Sequence, residues 1–297
     1  MKIGVDGGGT KTELILIDDD GAIIARHLAT GCNPSSAGPD AAREVLDVAL
    51  RTLIVVQPPG AVTHTLLCMA GAPEFWRETA ADLSAVGAYG RVNALDDSRP
   101  VLALATGGQP GLVLHGGTGS FIAAQSPDGS FHYAGGTGWR FGDPGSGYDL
   151  GRRTISRALL ELQGWQLPTS LSTLVRDHTG LAGANEITRF FYRHAEPNRQ
   201  IATLAPALLR LASEGDPSSQ LVVMESCTEL LKLAESVTTK LFAGWNLDML
   251  PAAVSGPILC HPAAQKALAT RSSLNLRPLT EPPIEGVRRL LLGACAK

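Results

Sequence analysis

A glycine run between apolar residues occurs twice in this chain at a single offset, and that repetition narrows the possible folds more than any other feature. Val5-Asp6-Gly7-Gly8-Gly9-Thr10-Lys11-Thr12 lies between Ile3-Gly4-Val5 and Leu14-Ile15-Leu16-Ile17. Leu112-Val113-Leu114-His115-Gly116-Gly117-Thr118-Gly119-Ser120-Phe121 repeats it. Each copy reads as strand, tight turn and strand. With a shift of 108 positions, Gly8 falls on Gly116, Gly9 on Gly117, Thr10 on Thr118, Asp20 on Asp128 and Gly21 on Gly129. Two turns in register per unit imply two related halves, each opening with a hairpin and a further strand, Ala22 to Ala29 and Ser130 to Ala134.

Residues without a Cβ let a backbone approach a bulky polyanion closely, with exposed N–H groups and the Thr10 and Thr12 hydroxyls meeting its oxygens. An ordinary glycine hairpin is the bland alternative, and the second copy weighs against it. At the same shift Asp6 falls on Leu114. Only the first half is therefore expected to carry a carboxylate beside its loop, where a hydrated Mg²⁺ accompanying phosphates needs one.

The remaining chemistry sits at glycines and strand ends. The order read for the first half, βββαβαβα, implies a mixed sheet with helices on both faces. A short strand, Arg91 to Leu95, delivers Asp96 and Asp97 just before the apolar run Val101 to Ala105. Ligands collect at such carboxyl ends of strands. One carboxylate there could accept a proton from a sugar hydroxyl while the other caps the following helix; a pair of solvated helix-start acids is the alternative. Gly135 to Gly147 combines many glycines with Trp139, Arg140 and Asp143, which suits a loop closing on a polar ligand, although Asp143-Pro144-Gly145 is also a strong turn signal. From Gly147 to Gly244 helical periodicity dominates, with helices expected over 155–162, 171–176, 184–194, 201–214 and 219–242. A third glycine, in Ser255-Gly256-Pro257 after the strand Met249 to Val254, could let adenine and ribose lie against the backbone. The chain's final helix is read with apolar residues at Val287, Leu290, Leu291 and Ala294.

Composition excludes several classes. At 297 residues the chain has room for two domains of about 150 residues each. With 25 basic and 28 acidic residues and no basic block, nucleic acid is not an expected partner. Lys2 is followed at once by a strand and a glycine loop, and no apolar run approaches the ~20 residues needed to span a bilayer, so a cytoplasmic protein away from membranes is expected. Five cysteines (Cys32, Cys68, Cys227, Cys260, Cys295) are scattered without CxxC spacing, which indicates neither structural zinc nor disulfides.

Asp6 to Thr12, Gly116 to Ser120, Gly142-Asp143-Pro144-Gly145-Ser146 and Ser255-Gly256, in that order, resemble the sugar kinase, Hsp70 and actin superfamily. Within it the chain is similar to the BadF/BadG/BcrA/BcrD ATPase family, which includes N-acetylglucosamine and glucosamine kinases. The segment Ile201 to Pro206 followed by Gly215-Asp216 extends the likeness through the helical part. The resemblance implies an α/β protein of two ribonuclease-H-like domains, the actin-like ATPase fold, flanking a nucleotide cleft. The domains would span 1–108 and 109–297, with a helical insertion over about 147–244 and a last helix able to return to the first domain. It implies an ATP-dependent kinase acting on a hydroxyl of an amino sugar or related hexose, working as a homodimer. Asp6 would hold Mg²⁺; Gly8, Gly9, Thr10, Lys11, Thr12, Gly117, Thr118, Gly119 and Gly256 would hold ATP; Asp97, preferred to Asp96, would be the general base. Asn33, Asp97, Ser120, Gly138 and Asp143 would contact the sugar.

Three departures from the kinases bear on the substrate. Pro144 stands where they carry Glu, Thr137-Gly138 where they carry Trp-Gly, and Phe121 where N-acetylglucosamine kinase has Asn. A carboxylate and an amide expected to recognise an N-acetyl group are thus missing. The family's other branch, ATPases passing electrons from an iron–sulfur cluster to a radical dehydratase or reductase, requires grouped thiolates that Cys32 and Cys68 do not supply. A non-catalytic sugar sensor is a further alternative, and the presence of both Asp6 and Asp97 argues against it. The zinc motif of ROK-type glucokinases is absent.

Overall fold

The computed structural model describes residues 1–55, 57–58 and 60–293, so Ala294 and Cys295 lie outside the described residues. The chain forms two compact units, Met1–Gln109 with the segment from Glu281, and Pro110–Thr280.

The first unit is built on a five-stranded sheet in the order β3-β2-β1-β4-β5, comprising β1 (Lys2–Gly7), β2 (Lys11–Ile17), β3 (Ile23–Thr30), β4 (His64–Met69) and β5 (Arg91–Asp96). β1, β2 and β3 run antiparallel, whereas β4 and β5 join parallel to β1. Its helices are α1 (Pro34–Ala37), α2 (Pro39–Ile54), α3 (Pro73–Val86) and α4 (Ser98–Thr106), joined by a helix from the chain's end introduced below. Because side chains alternate across a strand, Ile3, Val5, Leu14 and Leu16 bury against Leu46, Leu50 and Trp76 on one face. On the other, Ile15 and Ile17 meet Ile284, Val287 and Leu291. β2 is apolar on both faces and accordingly lies inside the sheet; β3 alternates half-buried and exposed positions as an edge strand does.

The second unit repeats this order. It contains β6 (Gly111–Gly116), β7 (Ser120–Gln125), β8 (Phe131–Gly135), α5 (Gly147–Leu162), α6 (Ser170–Thr179), α7 (Ala184–Arg193), α8 (Pro197–Ala202), α9 (Ala205–Ser213), α10 (Pro217–Leu241), β9 (Ala252–Ser255), α11 (Gly256–Leu259), α12 (Pro262–Arg271) and β10 (Arg277–Pro278). The sheet order β10-β9-β6-β7-β8 is the first unit's order read from the other edge, with the same antiparallel and parallel pairings. α13 (Pro283–Leu291) follows and lies in the first unit.

Several elements differ from the periodicity reading. The helix expected over 201–214 is two, because Thr203 and Leu204 interrupt the chain before Pro206. The strand expected from Met249 is a 3₁₀ turn over Leu247–Met249 and then β9. α12 and β10 carry too little amphipathic signal to be seen in sequence. α5 begins at Gly147, earlier than its apolar pattern, because the buried Ser146 side chain caps it by accepting from Asp149 N at 3.1 Å.

Two glycines in the first unit are required by helix packing. A Cβ on Gly4 would lie 2.9 Å from Val287 Cγ1, and one on Gly286 would run into the carbonyl oxygen of Pro100, so α13 sits directly on β1 and α4. Overpacking at such a contact typically costs about 1–3 kcal/mol. Gly286→Ala should lower the urea midpoint of the full-length protein correspondingly, and an unchanged midpoint would show that α13 is not held at this distance.

Candidate active site

The first glycine hairpin is fixed by backbone contacts. β1 closes on β2 at the pair Gly7 and Thr12, and Gly8 N donates to Lys11 O at 2.9 Å. Gly31 N donates to Thr10 O at 3.1 Å and Cys32 N to Gly8 O at 3.2 Å, so the end of β3 braces the turn. Thr10 and Lys11 are exposed, Lys11 Nζ lying 3.2 Å from Glu13 Oε2. Thr12 departs from its expected role. Its side chain is fully buried and the hydroxyl donates to Thr30 O at 2.8 Å and Cys32 Sγ at 3.1 Å, leaving no proton for a phosphate.

Asp6 projects from β1 just before this turn. Burial raises its carboxyl to about 6, with Lys11 lowering it and Glu13 raising it further. The described residues contain no group of three or more His, Cys, Asp and Glu that could hold a metal ion. A single partly buried carboxylate fits Mg²⁺ kept mainly by water and phosphate oxygens, because Mg²⁺ dehydrates reluctantly.

The two carboxylates after β5 divide in role. Asp96 Oδ1 accepts from Ser98 N at 2.9 Å and also from the Ser98 hydroxyl, so it fastens the start of α4. Asp97 stands at the N-cap position in helical conformation, and its side chain makes no capping bond. Its carboxyl is raised to about 7, first by burial, then by the nearby Asp96 and Asp6 carboxylates. Cys68 on β4 is buried in the same field, its thiol pushed well above its ordinary value by burial and by Asp6, Asp97 and Asp96. A thiol so placed stays protonated, as Cys32 also should. Asn33 caps α1, its Oδ1 accepting from Ser35 N at 2.9 Å and lying where a side chain on Gly71 would sit.

In the second unit the corresponding turn is shorter by one residue. Gly116 pairs with Ser120 and Gly117 N donates to Gly119 O at 2.9 Å, against the Gly7 and Thr12 closure in the first. The pairing corrects the match between halves, since the residue one step before closure is Asp6 on β1 and His115, not Leu114, on β6. Both are partly buried in otherwise buried strands, whereas Leu114 is a core residue. His115 Nδ1 lies 2.9 Å from Ser255 Oγ, and its ring stacks on Phe121 at 4.8 Å, which stacks on Tyr133 at 5.2 Å.

Gly256 also has a different reason from the one expected. At φ +84° it occupies the left-handed region, and a Cβ there would run into Gly116 O and lie 3.0 Å from His115 Cε1. Packing against β6 demands the glycine, and it is the neighbouring Pro257 and Ile258 that line a cavity of about 390 Å³. Gly117, Thr118, Gly147, Ala202, Pro206, Leu209 and His261 complete its wall. Gly117 and Thr118 are expected from the sequence and Gly147 closes the glycine-rich segment read there; the others go unassigned, because Pro206, Pro257 and His261 signal only the turns that open α9, α11 and α12.

The Gly135–Gly147 segment is tied to the same loop. Gly147 N donates to Gly117 O at 2.8 Å and Tyr148 N to Thr118 O at 3.2 Å. Gly145 N donates to the buried Ser226 hydroxyl on α10 at 2.9 Å, which donates onward to Asp149 Oδ2 at 2.7 Å, while Arg152 and Arg153 each donate to Asp149 at 2.8 Å. Asp143 is thereby held with Oδ2 3.0 Å from the place of a Cβ on Gly119, and its Oδ1 is buried without a partner among the described residues. Burial lifts this carboxyl to about 6 against the pull of the Gly138 amide. Ser120 is buried beside it, and Gly138, at φ +89°, has open space around it. An unpaired buried carboxylate oxygen is costly unless a ligand supplies the donor.

The family model described as the BadF/BadG/BcrA/BcrD ATPase family matches residues 3–244. An N-acetyl-D-glucosamine kinase of Dictyostelium discoideum is 27% identical over 253 residues, 80% of this chain and 79% of that one. An N-acetylmuramic acid/N-acetylglucosamine kinase of Clostridium acetobutylicum is 25% identical over 244 residues, 79% and 78% of the two chains. A solved structure from Chromobacterium violaceum, described as a candidate N-acetylglucosamine kinase, superposes with a TM-score of 0.78 at 26% identity, covering 98% of each chain.

The raised carboxyl groups make stability depend on pH. Asp97, with a folded value of about 7 against 3.8, holds a proton in the folded state that the unfolded chain has already released between about pH 4 and 7. Stability therefore falls as pH rises through that window and stays low above it. Without divalent cations, Asp97→Asn should have the higher urea midpoint at pH 8, with the gap closing towards pH 5. A gap independent of pH would contradict the assignment.

Proposed function

We propose that this chain, which belongs to the BadF/BadG/BcrA/BcrD ATPase family, is an ATP-dependent kinase that phosphorylates a hydroxyl of an amino sugar or related hexose. The observation that carries the reading is Asp97: a half-buried carboxylate just past the end of a parallel strand, uncommitted as a helix cap, raised to about 7 beside a neighbour that takes the capping role. A general base works best with its pKa near the operating pH. The relatives' names, both sugar kinases, support the class.

Phosphoryl transfer needs alignment and charge neutralisation more than covalent chemistry. Asp97 would take the sugar hydroxyl's proton as its oxygen attacks the γ-phosphorus and the bond to the leaving ADP oxygen breaks. Gly8 to Lys11 and Gly117 to Gly119 would present backbone amides to phosphate oxygens, with the nucleoside in the cavity beside Pro257. Asp6 would hold Mg²⁺, which when bound neutralises charge on the phosphate chain. Asp143 would accept from sugar hydroxyls through the oxygen that lacks a donor, with Asn33, Ser120 and Gly138 as further sugar contacts. Asn33 would do so through its amide nitrogen, its oxygen being engaged with Ser35. Phe121, stacked between His115 and Tyr133, offers no amide, and Pro144 no carboxylate, so the N-acetyl group is not the feature we expect to be recognised. The cytoplasm, which supplies ATP, is the proposed setting. The proposed assembly is a homodimer, with the exposed Trp165 and Leu167 as apolar surface to cover.

ADP release should be measured with MgATP over glucosamine, N-acetylglucosamine, N-acetylmannosamine, glucose and muramic derivatives. At least one should stimulate release stoichiometrically with sugar phosphate. Release of ADP indifferent to every sugar, or none at all, would remove the kinase reading.

A further inference from the structure

The register of the two hairpins puts His115 where the first unit has Asp6, and the imidazole's surroundings are unlike those of a core histidine. Its Nδ1 is engaged by Ser255 Oγ at 2.9 Å, on the neighbouring parallel strand. Stacking on Phe121 fixes the ring plane. The ring's far edge lies between two glycines: Nε2 is 3.2 Å from the place of a Cβ on Gly117, and Cε1 is 3.0 Å from that on Gly256. Gly117 and Pro257, the residue after Gly256, both line the 390 Å³ cavity. A side chain at either glycine would be thrust against His115, so the local backbone is arranged around this ring.

We infer that His115 is a positioning residue for the nucleotide, donating a hydrogen bond from Nε2–H to an oxygen of its phosphate chain at the Gly117–Gly119 turn. Burial lowers the imidazole to about 4, so it is neutral across the physiological range and one ring nitrogen carries the proton. An anion at Nε2 selects the tautomer protonated there, in which the Ser255 hydroxyl donates to Nδ1. The ring then supplies a donor without adding a charge that would have to be desolvated. A carboxylate at this register would instead meet phosphate with like charge.

This assignment rests on the nucleotide-binding part of the proposed function and is independent of which sugar is used. Binding of ADP and of adenosine in the presence of Mg²⁺ should be measured by calorimetry for the wild type, His115→Phe, His115→Gln and Ser255→Ala. His115→Phe keeps the stack on Phe121 and loses the donor. It should weaken ADP about 10-fold, the loss expected for one hydrogen bond to a charged group, and leave adenosine within about 2-fold. His115→Gln, which keeps an N–H near Nε2, should recover most of the loss, and Ser255→Ala should weaken ADP severalfold while leaving the ring packing intact. ADP binding unchanged in His115→Phe and Ser255→Ala, or ADP and adenosine weakened alike, would overturn the role, as would a wild type that binds no ADP. A wild type that binds ADP with this His115 dependence yet phosphorylates no sugar would refute the kinase reading alone.

Discussion

A carboxylate partly withdrawn from water beside other carboxylates is the constraint on which the first unit's site depends. Asp97 is placed there by the parallel strand β5, and Asp6 by β1 of the same sheet. Asp96 and Asp6 add to the cost that burial puts on ionising Asp97, because like charges in a partly dry region favour the protonated form of one of them. The fold tolerates this because α13 and α4 cover the sheet with Ile284, Val287 and Leu291 close against β1 and β2. A destabilised site of this kind is commonly kept because activity requires it.

The second unit spends the same topology differently. Its central strand carries His115 instead of a carboxylate one residue before its end, its turn is one residue shorter, and its helical insertion reaches back through Ser226 to hold the Asp143 loop. Duplication thus supplies two hairpins with the same strand order, and the residue one step before each closure sets the chemistry: an acid suited to a hydrated cation in one, a neutral donor suited to a phosphate in the other.

Much of this was legible in sequence for physical reasons. Glycine runs between apolar strands announce hairpins, and the common offset announced the repeat, because a tight turn tolerates few alternatives. The preference for Asp97 over Asp96 rested on resemblance, and the structure adds a reason in the Asp96 contact with Ser98. What could not be read depends on one-residue register and on contacts distant in sequence. The unequal turn lengths moved Asp6's partner from Leu114 to His115. Thr12 turned inward because Thr30 and Cys32 wait for its hydroxyl. Gly256 answers to Gly116 across the β6–β9 pair. Ile258 and His261 are unremarkable in sequence and, with Pro257, become cavity wall only once α11 turns off β9.

In the proposed reaction the Asp97 carboxylate removes the proton of an attacking hydroxyl. Comparing kcat of Asp97→Asn with that of the wild type on the best sugar, alongside the Kd for MgATP, tests it most directly. A general base in this position requires a fall in kcat of about 10²- to 10⁴-fold, the usual contribution of such a group, with MgATP affinity little changed. Near-normal turnover in the variant would contradict it.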